Sequence, residues 1–114
     1  MKELKDKILE EGVVLGDDIL KVDSFLNQQI DVELISKMGK EFAEHFKDIK
    51  IDKVFTVESS GIAPALATAS ELGVKCVFGR KKQSLTTSED VYHSSVLSFT
   101  KQVMNELIVN KEFI

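Results

Sequence analysis

The 114-residue sequence predicts an α/β fold, a parallel sheet with helices packed on it. Three observations carry this expectation. Val54-Phe55-Thr56-Val57 is a continuous β-branched and aromatic run, of the kind that forms a strand buried on both faces. Helical spacing follows through Ile62, Leu66, Ala69 and Leu72, and a second buried-strand run occupies residues 74–78. Strand, loop, helix and strand in so short a span make one βαβ unit, which closes as a right-handed crossover with its strands parallel.

From the amino terminus, Leu4, Ile8 and Leu9 share one face of a short helix, and Gly12 suits its end because glycine tolerates the positive φ common just past a helix. Short apolar stretches at 13–15 and 19–22 are broken by Gly16-Asp17-Asp18, a turn signal. Asp31 is placed to cap a long helix whose buried stripe would be Ile35, Met38, Phe42 and Phe46. Past the first buried strand, Glu58-Ser59-Ser60-Gly61 reads as a tight loop, Pro64 fits the first turn of the next helix, and Gly73 ends it. Residues 79–88 are too polar and too many for a tight connection, which makes them a candidate functional loop. Runs 91–99 and 103–109 then read as a hairpin around Thr100-Lys101-Gln102.

Composition narrows the function classes. Apolar residues make up 43% and charged residues 30%, the proportions of a globular chain with a packed core, and the length predicts one domain at most. A net charge of −4 gives no general attraction for nucleic acid or anionic lipid, so any anion site must be local. The part after Val57 is relatively richer in positive charge. A single cysteine, Cys76, cannot form an intrachain disulfide, the start Met1-Lys2-Glu3-Leu4 lacks the pattern of a secretory signal, and no apolar run is long enough to span a membrane. The expected setting is cytoplasmic.

Two loops could carry chemistry. In parallel α/β sheets ligands bind outside the carboxyl ends of the strands, where loop amides and the positive end of a helix face an anion. Ser59 and Ser60, with the side-chain-free approach at Gly61, suit a phosphate or pyrophosphate there. The same residues equally suit an ordinary strand-to-helix turn with serine as cap, and they match neither the Walker nor the dinucleotide fingerprint. Arg80-Lys81-Lys82 lies just past the next strand, on the same sheet edge if the strands are parallel. Three adjacent cations repel one another, a cost that a polyanion relieves, although a short basic run is also a common solvated patch. Asp17-Asp18 reads as a turn, His45 and His93 lack partners at triad or zinc spacing, and Cys76 reads as a core thiol. No residue is assigned as a catalytic nucleophile or a metal ligand.

The blocks Glu11-Gly12-Val13-Val14, Leu20-Lys21-Val22-Asp23-Ser24-Phe25-Leu26-Asn27, Glu58-Ser59-Ser60-Gly61-Ile62-Ala63-Pro64 and Ser98-Phe99-Thr100-Lys101-Gln102 stand in the order found in a known family. Through them Met1–Ile114 resembles the first part of the bacterial xanthine phosphoribosyltransferases, which are type I phosphoribosyltransferases. That resemblance implies purine salvage: xanthine and 5-phosphoribosyl 1-pyrophosphate give xanthosine monophosphate and pyrophosphate. It implies that Leu20 and Asn27 recognise the base, Leu20 packing on the flat purine and Asn27 offering its amide to the polar edge. It further implies that Ser59, Ser60 and Gly61 belong to a pyrophosphate loop with a strained backbone, that Arg80 and Lys81 neutralise the leaving group, and that residues 84–99 form a mobile flap. Magnesium would arrive with the phosphoribosyl donor, and the protein would be a homodimer without nucleic-acid or membrane partners.

The family continues into a further strand with paired acidic residues and a small-residue loop for the 5′-phosphate, and into a lysine that contacts the base. Neither signature occurs in this sequence. The resemblance therefore implies the N-terminal part of a single phosphoribosyltransferase domain, residues 1–114. Its fold would be a partial, Rossmann-like parallel sheet with flanking helices and a strand-hairpin flap, the C-terminal part missing and the chain inactive alone. The alternatives are a non-catalytic module that binds purine and pyrophosphate, or a fragment that self-associates.

Overall fold

The computed structural model describes residues 1–81, 90–98 and 103–114, the side chains of 96–98 and 103–105 excepted. Helix α1 (Lys2–Glu11) leads into a hairpin of β1 (Val13–Leu15) and β2 (Ile19–Lys21), turned at Gly16 with φ +63°. A single π-helical turn, Asp23–Asn27, precedes α2 (Val32–His45). Next come β3 (Lys53–Val57), α3 (Ile62–Leu72), β4 (Lys75–Gly79), β5 (Val91–Ser98), β6 (Val103–Asn110) and a closing 3-10 turn, Lys111–Phe113.

The expected α/β architecture is the one observed. Strands β3 and β4 pair in parallel, Val54 opposite Cys76 and Val57 opposite Gly79, with α3 as the crossover. Strands β5 and β6 form the expected antiparallel hairpin, Val91 opposite Asn110. The hairpin is joined to the parallel pair just past β4, where Arg80 and Ile108 exchange backbone hydrogen bonds of 2.7 and 2.8 Å.

Local chemistry explains most element ends. Asp31 caps α2 as expected, its carboxylate accepting from the Leu34 amide at 3.0 Å. Gly73 ends α3 at φ +68°, the left-handed position glycine favours. Gly12 departs from the expectation, with φ −69° and ψ 143°, because α1 runs straight into the extended β1. Its lack of a side chain matters for another reason: a Cβ there would lie 2.5 Å from the Ile8 carbonyl oxygen.

Burial corrects three further expectations. The core is Phe25, Leu34, Ile35 and Met38, with Met1, Leu4, Ile8, Val22, Leu26, Ala63 and Ala67 packed around it. Leu9 lies outside it and is 83% exposed. On α2 the buried stripe is Leu34, Ile35, Met38 and Gly39, while Phe42 and Phe46 are 43% and 39% exposed. The reason is the crossing with α3, which centres on Gly39: a Cβ there would meet Ala67 backbone and side-chain atoms at 2.6–2.8 Å. Strand β3 is not buried on both faces, since Val54 and Thr56 are half-buried while Phe55 and Val57 are exposed. Helix α3 packs over the first pair, and among the described residues no helix covers the second. No helix among the described residues is long and apolar enough to cross a membrane.

The α2–α3 crossing predicts that Gly39→Ala forces the helices apart and lowers stability by about 1–3 kcal/mol, the usual cost of overpacking. Urea unfolding measures it, and an unchanged midpoint would refute the close approach.

Candidate functional site

Parallel pairing sends the segments after β3 and β4 out of the same sheet edge, and two hydrogen bonds then tie them together. The Glu58 amide donates to the Gly79 carbonyl at 3.0 Å, extending the ladder past β3. The Glu58 carboxylate accepts from the Lys81 amide at 2.6 Å. A half-buried carboxylate needs a partner, and here a backbone N–H engages it.

Beyond Glu58 the chain turns sharply through Ser59 and Ser60 into α3, with a cis Glu58-Ser59 peptide bond. The amides of Ser59, Ser60 and Gly61 find no acceptor among the described residues. Three consecutive N–H groups just ahead of an 11-residue helix are the kind of chemistry that suits an anion. Gly61 permits the turn, since a Cβ there would stand 2.4 Å from the Thr56 hydroxyl on β3. Pro64, in the first turn of α3, brings no N–H to a place where one would lack a partner.

Arg80 and Lys81 follow at this edge. Arg80 stands 5.9 Å from the Phe78 ring centroid and lines a groove of about 730 Å³ along the outer edge of β4, with Lys53, Lys75, Asn110 and Phe113. Ser59, Ser60 and Gly61 do not line that groove. Lys81 is half-buried and joined through its amide to the loop. Lys82 and the rest of the polar stretch to Ser88 lie outside the described residues, as do 84–89 and Phe99 of the expected flap.

Leu20 and Asn27 sit in a separate part of the chain, around α1. Leu20 is 46% exposed on β2, its Cδ1 lying 3.3 Å from where a Cβ on Gly12 would stand. Asn27 ends the π-turn with its side chain exposed and its amide donating to the Val22 carbonyl at 3.3 Å. The turn is anchored by Phe25, 1% exposed, and braced by charges. Lys7 reaches Glu11 at 2.8 Å and Asp31 at 3.3 Å, and the Ser24 hydroxyl donates to Glu11 at 2.9 Å. Hydrogen bonding to Glu11, then to Asp31, raises the Lys7 pKa. Lys7, then Ser24, lowers that of Glu11, and the Leu34 amide, then Lys7, lowers that of Asp31.

Other candidates keep modest roles. Asp17 and Asp18 form the hairpin turn, and His45 lies edge-on to Phe46 at 4.7 Å. His93 pairs across the β5–β6 hairpin with Glu106 at 3.2 Å, both side chains exposed. Cys76 is a free, half-buried thiol at the groove, less enclosed than the core position expected. Two features escaped the sequence reading, the Glu58 clamp and the bracing of the π-turn. An acidic residue heading an anion loop was the available signal for the first. Nothing in the spacing of Lys7, Glu11, Ser24 and Asp31 announces the second.

No family model matches the chain. Curated relatives do, over its full length. It is 56% identical to a xanthine phosphoribosyltransferase of Bacillus cytotoxicus and 53% identical to one of an Exiguobacterium species, covering 58% and 59% of those proteins. The chain thus spans under two-thirds of the length of the relatives it matches, and the resemblance drawn from its sequence blocks holds across all of it. Among solved structures, an adenine phosphoribosyltransferase of Thermoanaerobacter pseudethanolicus superposes with a TM-score of 0.70 at 18% identity, covering 97% of this chain and 62% of that one. An APRTase of Giardia lamblia, solved with 9-deazaadenine, gives 0.64 at 24% identity, covering 90% and 55%. The fold is that of part of a phosphoribosyltransferase.

Two predictions follow from this geometry. Glu58→Ala removes the clamp and costs about 1.5–3 kcal/mol, the range for a hydrogen bond to a charged group, while Glu58→Gln keeps an acceptor and loses less. Equal unfolding midpoints for the two variants would argue against the clamp. The bracing charges set a pH window. Glu11 and Asp31 contribute stability fully above their ordinary values of 4.5 and 3.8, and the contribution is lost as pH falls through their depressed values. Lys7 contributes below its ordinary 10.5, and that is lost as pH rises through its raised value. Carboxyl-carbon NMR should find both acids titrating below their ordinary values in the native chain and closer to them in Lys7→Met.

Proposed function

We propose that this chain is the N-terminal part, residues 1–114, of a single phosphoribosyltransferase domain that transfers phosphoribosyl from 5-phosphoribosyl 1-pyrophosphate to xanthine. The products are xanthosine monophosphate and pyrophosphate. The observation that carries the reading is the pair of loops tied by Glu58 at one sheet edge: three amides without an acceptor among the described residues meet the chain that bears Lys81. Identity to xanthine phosphoribosyltransferases along the whole chain supports the choice of reaction and base.

In this reading Ser59, Ser60 and Gly61 bind the pyrophosphate through their amides, and Arg80 and Lys81 supply positive charge. Arg80 would leave its place beside Phe78 to do so. Leu20 packs on the purine face and the Asn27 amide meets its polar edge. The base nitrogen displaces pyrophosphate at the anomeric carbon through a transition state with oxocarbenium character, so no covalent enzyme intermediate is needed. The chain's contribution is to hold the two reactants in line and to stabilise charge developing on the leaving group. Magnesium enters as part of the donor substrate. A homodimer and a cytoplasmic setting belong to the same reading; the free thiol of Cys76 suits a reducing compartment.

Calorimetry with xanthine and with the magnesium complex of 5-phosphoribosyl 1-pyrophosphate tests the assignment. Lys81→Ala should weaken the donor about tenfold or more, the worth of a charge-assisted contact, and leave xanthine affinity within about twofold. Asn27→Ala should do the reverse. Equal losses for both ligands in either variant would contradict the division of roles, and xanthine binding without turnover would favour a non-catalytic binding module.

A further inference from the structure

We propose that Lys7 and Glu11 on α1 are positioning residues for base recognition, bracketing the π-turn that presents Asn27. The inference rests on the reading that Asn27 meets the base, and it concerns residues that touch no substrate.

The bracket is a chain of four side chains from three elements. Ser24, the second residue of the π-turn, donates its hydroxyl to one Glu11 oxygen at 2.9 Å. The other Glu11 oxygen accepts from Lys7 at 2.8 Å, and Lys7 reaches on to Asp31 at 3.3 Å. Asp31 follows the turn, donates its own amide to the Phe25 carbonyl at 3.0 Å, and caps α2 through the Leu34 amide. Both ends of the segment 24–31 are therefore tied to one turn of α1.

An isolated surface pair at this helical spacing contributes little, because solvent screens it and two long side chains must be ordered. This one differs in two respects. Its three charged side chains are only 26–38% exposed, and together they link α1, the π-turn and α2. The turn is also supported from outside. Within it Leu26 donates to Val22 at 3.0 Å and Gln29 to Asp23 at 2.8 Å, while the bond from Asn27 itself, to Val22, is the longer one at 3.3 Å, and a single π-helical turn is a rare geometry. Phe25 fixes its inward side in the core, and the bracket adds to the bonds that hold the outward side carrying Asn27. Loosening the bracket leaves Asn27 in place chemically but spreads its positions, and binding must then order it again.

The test compares the native chain with Lys7→Met, which keeps the apolar stem, Lys7→Arg, which keeps the charge and donors, and Ser24→Ala. Calorimetry uses xanthine and the magnesium complex of 5-phosphoribosyl 1-pyrophosphate, and amide exchange is followed at residues 22–29 and in α3. Lys7→Met and Ser24→Ala should weaken xanthine by roughly three- to tenfold, the scale of ordering one side chain and its turn, with donor affinity unchanged. Exchange at 22–29 should quicken while α3 keeps its protection, and Lys7→Arg should restore both. A native chain that binds xanthine, beside a Lys7→Met chain that binds it equally well, overturns the proposal alone, whether or not exchange changes. Loss of α3 protection together with both affinities shows general unfolding and overturns it as well. A native chain that binds no xanthine overturns the underlying reading, and the proposal with it.

Discussion

The candidate site depends on the Glu58 carboxylate turning back to accept the Lys81 amide. Parallel register places Val57 opposite Gly79, so the two chains leave the sheet side by side, and the Glu58 amide adds one more rung to the ladder. The side chain then converts adjacency into attachment. Without it the turn through Ser59 and Ser60 and the segment carrying Arg80 and Lys81 would be neighbours free to separate. With it they are joined, and the negative charge of Glu58 is drawn toward a backbone dipole. Gly61 is the other half of the constraint, since only a residue without Cβ lets the turn pass Thr56.

The sequence made the backbone of this arrangement legible. A β-branched run, a helical spacing and a second run dictate a parallel pair whose loops share an edge, and the structure has that pair. Asp31 as a cap and Gly73 as a terminator could be read because each acts through bonds within a few residues of itself. Burial was less legible. Phe42 and Phe46 continue the helical spacing of Ile35 and Met38, yet the crossing with α3 is decided by Gly39, which hydrophobic patterning ignores. The run in β3 promised two buried faces, but a run of residues reports apolarity and not which neighbours arrive to cover them. Gly12 shows the same limit: glycine was rightly placed at the end of α1, although steric contact with Ile8, not positive φ, requires it there.

For the candidate site, sequence reasoning proposes residue types but not what holds them. Serine, glycine and lysine near strand ends suggest anion binding through their chemistry, and the bonds that tie them are not in the spacing. Lys81 is tied to the Glu58 segment through its amide, while Arg80 lies over Phe78 at a separate groove, beside its bridge to Ile108.

The two parts of the site are held by different physics. In the proposed reading the donor side is built from backbone amides and a sheet ladder, with the Glu58 carboxylate as a charged tie. The base side stands on a π-turn braced by Lys7, Glu11 and Asp31, charges partly open to solvent and therefore sensitive to ionic strength and acid. A pyrophosphate group is chemically invariant, and a rigid backbone cradle suits it. Purine bases differ in the donors and acceptors along one edge, and discrimination among them requires side chains held by other side chains. Such a frame is looser, but one substitution at its support can retune it without disturbing the sheet. On the proposed assignment, then, selectivity resides in the part whose geometry depends on weak, adjustable forces, and anion binding in the part that β-pairing makes stiff.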